Sequence, residues 1–78
     1  MVGARLKRYI ATIVCKPGTA QETTRDHAEI LAADDDEAVR QAREWLRRSG
    51  LAQAGDFLIV AENGRGVRSI EVRPPSRP

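Results

Sequence analysis

Few side chains in this sequence are equipped for chemistry. Cys15 is its one cysteine and His27 its one histidine. A thiolate–imidazole pair needs both groups within hydrogen-bond reach. On the strands described below, Cys15 falls on one face and His27 on the other, so no such dyad is expected. A zinc site takes about four ligands from Cys, His and carboxylates, and these two residues show neither CxxC nor HxxxH spacing. With one cysteine there is no intramolecular disulfide. Ser49, Ser69 and Ser76 lack the GxSxG setting of a nucleophile elbow. Asp34-Asp35-Asp36-Glu37 gathers four carboxylates. Consecutive residues at a helix start point in different directions, and their charge complements the helix dipole, so helix capping accounts for them. Glu62-Asn63-Gly64-Arg65-Gly66 sets an arginine between glycines but has no GKS or GKT and no following helix; it reads as a hairpin tip. The expectation is a protein without catalytic, metal-ligating or cofactor-binding residues, and not an enzyme.

Charge offers one further candidate. The 78 residues hold 13 basic and 11 acidic side chains, a net +2, and most of the basic ones are arginine. Arg40, Arg43 and Arg47 fall on the outer side of the expected helix, where they are candidate contacts for an anionic partner such as a phosphate backbone. Against this, Asp36 to Arg40 and Glu44 to Arg48 have the favourable i, i+4 orientation and offset part of the charge. The aromatic residues, Tyr9, Trp45 and Phe57, all suit a core, which leaves no stacking platform for single strands. Nucleic-acid binding therefore ranks below protein interaction.

The elements that position these residues follow from periodicity. Residues 6–15 alternate, with Tyr9, Ala11, Ile13 and Cys15 on one face and Arg8, Ile10, Thr12 and Val14 on the other, the period of a strand. Lys16-Pro17-Gly18-Thr19 breaks it as a turn. Residues 23–32 form a second strand and complete a hairpin. Residues 35–49 read as a helix: Asp34 is the N-cap candidate, with Glu37 at capping-box spacing. Ala38, Val39, Ala42, Trp45 and Leu46 form one apolar stripe, and Gly50 supplies the stop. Residues 56–61 and 66–72 are two more strands joined at Asn63-Gly64, the strongest short hairpin signal in the chain. The fold class is α+β, in the order ββαββ: a four-stranded antiparallel sheet with one helix on one face. Residues 1–73 make a single domain, and 74–78 a flexible Pro-rich tail.

One helix covers one face of such a sheet. The alternation assigns Ile10, Val14, Leu31, Leu58 and Val60 to the other face, and Tyr9, Ile13, Ile30, Phe57 and Ile59 to the helix side. An exposed patch of large apolar residues marks an interaction surface, here self-association face to face or edge to edge, as a homodimer. Two other arrangements satisfy the same pattern: residues 51–55 or the N-terminal arm folding over that face, or a different strand register.

A chain this short buries only roughly 60–65% of the surface its unfolded form exposes, so its core is thin. With neither disulfide nor metal, oligomerisation is the remaining support. No segment approaches the roughly 20 apolar residues of a membrane helix. The basic start, followed by the short run from Tyr9 to Cys15, reads as a strand and not a signal peptide. No membrane association is expected, and the expected location is the cytoplasm, where a free thiol stays reduced.

Two families resemble parts of this pattern. Asp36 to Leu46 resembles the helix that follows a β-hairpin in HicB-type antitoxins, which implies a domain that binds and blocks a small RNase toxin. The whole order is similar to short bacterial hairpin–helix–hairpin proteins of unknown function. The matching features are Tyr9 early in the first strand, Glu29-Ile30-Leu31 before the helix, Glu37-Ala38 and Ala42 within it, and the Asn63-Gly64 hairpin. That resemblance implies a fold and no activity.

Overall fold

The computed structural model describes residues 5–73; residues 1–4 and the expected tail at 74–78 lie outside the described residues. The chain forms β1 (Lys7–Cys15), β2 (Thr23–Ala32), α1 (Asp35–Ser49), β3 (Phe57–Glu62) and β4 (Arg65–Glu71), the ββαββ order and α+β class that the periodicity predicts. The turn chemistry holds as well. Asn63 and Gly64 both have positive φ, 49° and 81°, the backbone of a type I′ hairpin. Asp34 accepts a hydrogen bond from the Glu37 N–H at 2.8 Å, capping α1, and Gly50 ends it at φ 69°. Glu37 reaches back to the N–H of Ala33, one residue before the cap, at 3.0 Å.

The sheet order is β2-β1-β3-β4, with every neighbouring pair antiparallel. β1 therefore lies between β2 and β3, and α1 carries the chain from an edge strand over β1 to its far side. β2 and β4 are the two edges. α1 packs Ala38 and Ala42 against Tyr9, Ala11, Ile30, Ala32, Leu58 and Val60, with Trp45, Leu46, Val67 and Ile70 closing the margins, and buries Val39 as well. Four of these core residues are alanines, which let helix and sheet approach closely.

The register overturns one expectation. Ile13 pairs with Leu58 and Ala11 with Val60, so both β3 residues face the helix and are fully buried. Phe57 and Ile59, expected inward, share the opposite face with Val14 and Thr12. β3 is apolar on both faces, so alternation fixes its period and not its phase. The phase follows Asp56, whose carboxylate is only 2% exposed and points to the same side as Leu58 and Val60, onto Arg25. Arg25 is free to meet it because β2 bulges there. Asp26 pairs with Ile13 and Thr24 with Val14, leaving Arg25 outside the ladder. A second bulge, between Gly66 and Arg68, turns Val67 onto the core.

Candidate interaction surfaces

The face away from α1 is built row by row from the register. Arg8 lies beside Leu31, Ile10 between Glu29 and Ala61, Thr12 between His27 and Ile59, and Val14 between Thr24 and Phe57. Of the five residues expected on this face, Ile10 and Leu31 are exposed, at 39% and 49%. Val14 shares the face in register but is buried, so it forms floor and not contact surface. Leu58 and Val60 belong to the core, as above. Phe57 and Ile59, both half-buried, take their places. The face is thus an apolar band from Leu31 through Ile10 to Ile59 and Phe57, crossed by an Arg8–Glu29 ion pair at 2.6 Å. The loop over 51–55 does not close it. Gln53 makes its contacts with Arg25 and Asp56, and Leu51 stays 49% exposed. Leu6, at the entry to β1, is 60% exposed.

The helix arginines separate. Arg43 and Arg47 border a groove between α1 and the end of β4, and Arg40 borders another between α1 and β2. The expected Asp36–Arg40 and Glu44–Arg48 pairs are not made; Glu44 pairs with Arg47 instead. Among the described residues, Arg40, Arg43 and Arg48 form no ion pair.

Two polar clusters went unread in the sequence. At one end of the core, Arg25 Nε donates to Asp56 Oδ2 at 2.5 Å, and its Nη2 lies 3.3 Å from Cys15 Sγ and 3.5 Å from Gln53 Oε1. The Gln53 N–H also donates to Asp56, at 2.9 Å. Burial works to raise the Asp56 carboxyl, but the guanidinium and the Gln53 N–H outweigh it and hold it below the usual carboxylate range. At the other end, Tyr9 Oη donates to Asp35 Oδ1 at 2.8 Å, and Arg65 bridges Asp35 and Glu62 at 3.2 and 2.6 Å. Burial, and then that bond to a carboxylate, push the Tyr9 phenol up to about 12. The hydrogen bonds from Tyr9 and Arg65 hold Asp35 low. Both clusters have their polar atoms satisfied: no buried side-chain nitrogen or oxygen among the described residues lacks a partner. They tie strands to the helix start and to the β3 approach. No sequence spacing marks pairs 26 and 31 residues apart.

No protein-family model, curated protein or solved structure matches the chain.

Cys15 and His27 do not converge. Cys15 stands opposite Thr23 and contacts Arg25, while His27 stands opposite Thr12 on the open face. Among the described residues no group of three or more His, Cys, Asp or Glu side chains is placed to hold a metal ion, and no helix is long and apolar enough to cross a membrane.

Proposed function

We propose that this chain is a non-catalytic protein-interaction module that self-associates through its open sheet face. The observation that carries the reading is the band of Ile10, Leu31, Phe57 and Ile59 opposite the helix, with Ile10 and Leu31 exposed at 39% and 49%. Apolar residues clustered on one sheet face gain by leaving water together. The charges crossing the band favour a second copy as the occupant. Arg8 and Glu29 are 71% and 49% exposed and of opposite sign. A two-fold axis passing beside this pair would bring each copy's arginine toward the other's glutamate, the self-complementarity that a symmetric dimer requires. A thin core adds to the gain from pairing. In this reading the protein works in the cytoplasm, where Cys15 stays reduced.

Sedimentation equilibrium tests it. The expected result is a monomer–dimer equilibrium in the micromolar range that the Ile10→Asp/Leu31→Asp double variant shifts to monomer with an unchanged circular dichroism spectrum. A wild-type chain that stays monomeric at high micromolar concentration overturns the reading.

A further inference from the structure

We propose that the groove between α1 and the end of β4 is a strand-addition site for an extended acidic peptide. It lies away from the open face and is independent of self-association there. The groove encloses about 670 Å³, with Arg43, Leu46 and Arg47 on one wall and Ile70, Val72 and Arg73 on the other. Its floor is apolar and its rim is cationic. Arg43 and Arg73 form no ion pair among the described residues, and Glu71 is the one carboxylate in the lining.

Among the described residues, the wall formed by β4 is an open sheet edge. Val72 uses both of its backbone groups inward: its N–H donates to the Asp56 carbonyl at 2.8 Å, and its carbonyl accepts from the Gly55 N–H at 3.0 Å. Backbone direction alternates along a strand, so Glu71 and Ser69 turn their N–H and C=O groups outward, where a further strand can pair with them. Side chains of an added strand also alternate. Every second one falls on the helix side, repeating at about 6.8 Å. Arg43 and Arg47 are one helical step of about 6 Å apart along α1. Two carboxylates at i and i+2 therefore match Arg43 and Arg47, the latter by exchanging its exposed pair with Glu44 for the peptide, with main-chain bonds supplying affinity and the charges supplying selectivity.

The opposite groove shows what is particular here. Between α1 and β2, Glu29 and Glu44 line the groove alongside Arg40 and Arg48, so carboxylates and guanidinium groups are equal in number there. Gln41 Nε2 there donates to the Leu31 carbonyl at 3.1 Å, occupying part of that edge. The choice of peptide over nucleic acid rests on the lining: no aromatic ring borders the β4 groove, so bases have nothing to stack on.

Fluorescence anisotropy with a labelled octapeptide of alternating Val and Glu tests the proposal on the full chain. Binding is expected to weaken with salt and to fall at least about tenfold in Arg43→Glu/Arg47→Glu, while Arg40→Glu, on the other flank, stays within about twofold. Glu71→Pro removes an outward N–H and no β3 bond, so the fold stands and binding again falls at least about tenfold. Equal affinity for an alternating Val and Lys octapeptide, tighter binding of an oligothymidine dodecamer, full binding by Glu71→Pro, or no binding of the acidic probe each overturns it.

Discussion

Leu58→Ala and Leu31→Ala form a matched pair that tests both the face assignment and the use of the open face. Leu58 is fully buried beneath α1, between Ile13 on β1 and Ile70 on β4. Removing a buried leucine's outer carbons costs about 2–5 kcal/mol, more where neighbours cannot collapse into the hole. The helix residues above it include Ala38 and Ala42, which have no length to do so. A loss of about 3–4 kcal/mol is expected. A domain of this size is stable by about 4–12 kcal/mol in total, so this is a large share of it. Each kcal/mol moves the midpoint of thermal unfolding by about 4–8 °C, which predicts a fall of about 12–30 °C. Leu31 keeps 49% of its surface in water, and its truncation costs the monomer less than about 1 kcal/mol. Urea denaturation followed by the fluorescence of Trp45, the one tryptophan, separates the two. The Leu58→Ala offset should be the same at every protein concentration. The Leu31→Ala offset should grow with concentration, because it then includes lost self-association. Equal costs for the two variants in dilute solution would refute the assignment of faces. A wild-type midpoint independent of concentration would refute self-association.

Three further outcomes are expected. Tyr9 is the only tyrosine, so its ultraviolet titration is unobstructed. Its phenol is raised from 10.0 to about 12, so the stability it contributes is complete below pH 10 and lost as pH rises through about 12; Asp35→Asn should lower the titration midpoint, with burial still holding it above 10.0. Asp56 lies below its ordinary 3.8, so its contribution is present above that value and lost as pH falls through the lower folded one. Urea midpoints for Asp56→Asn should flatten on the acid limb and drop at neutral pH, where Arg25 is left without its carboxylate. Asp34→Ala removes the cap on α1 and should cost about 1 kcal/mol by urea denaturation.

The sequence carried the elements further than their assembly. Helix 35–49 and strand 23–32 are found at the expected residues, and the other strands within one residue of them. Each rests on local physics: an N-cap, a Gly50 stop, a period of two, an Asn-Gly turn. The order β2-β1-β3-β4 depends on contacts between distant segments, and no local signal encodes it. The face of β3 departs from expectation for a sharper reason. Phe57, Leu58, Ile59, Val60 and Ala61 are apolar without interruption, so both phases bury equal chemistry, and only the partner of Asp56 distinguishes them. That partner was hidden by a bulge, which periodicity reads as an ordinary strand position. Ile10 and Leu31 lie on the expected face because Arg8 and Thr12 on β1, and His27 and Glu29 on β2, mark the solvent side of their strands. The helix arginines were identified by type, but their division between two grooves depends on which strands lie on either side of α1.

The ion pair that sets the phase of β3 also makes a claim about how this sequence can drift. At Phe57 and Ile59, on its open face, this strand tolerates exchange among Phe, Ile, Leu and Val, whereas Leu58 and Val60 are confined beneath α1. Asp56 and Arg25 have no such freedom. Losing the carboxylate alone strands a cation at the end of the core; losing the arginine alone buries an anion. Replacing both with apolar residues keeps the packing but removes what makes one orientation of β3 better than its mirror. The two positions, 31 residues apart, behave as one heritable unit, and in homologous chains they should change together or remain as they are.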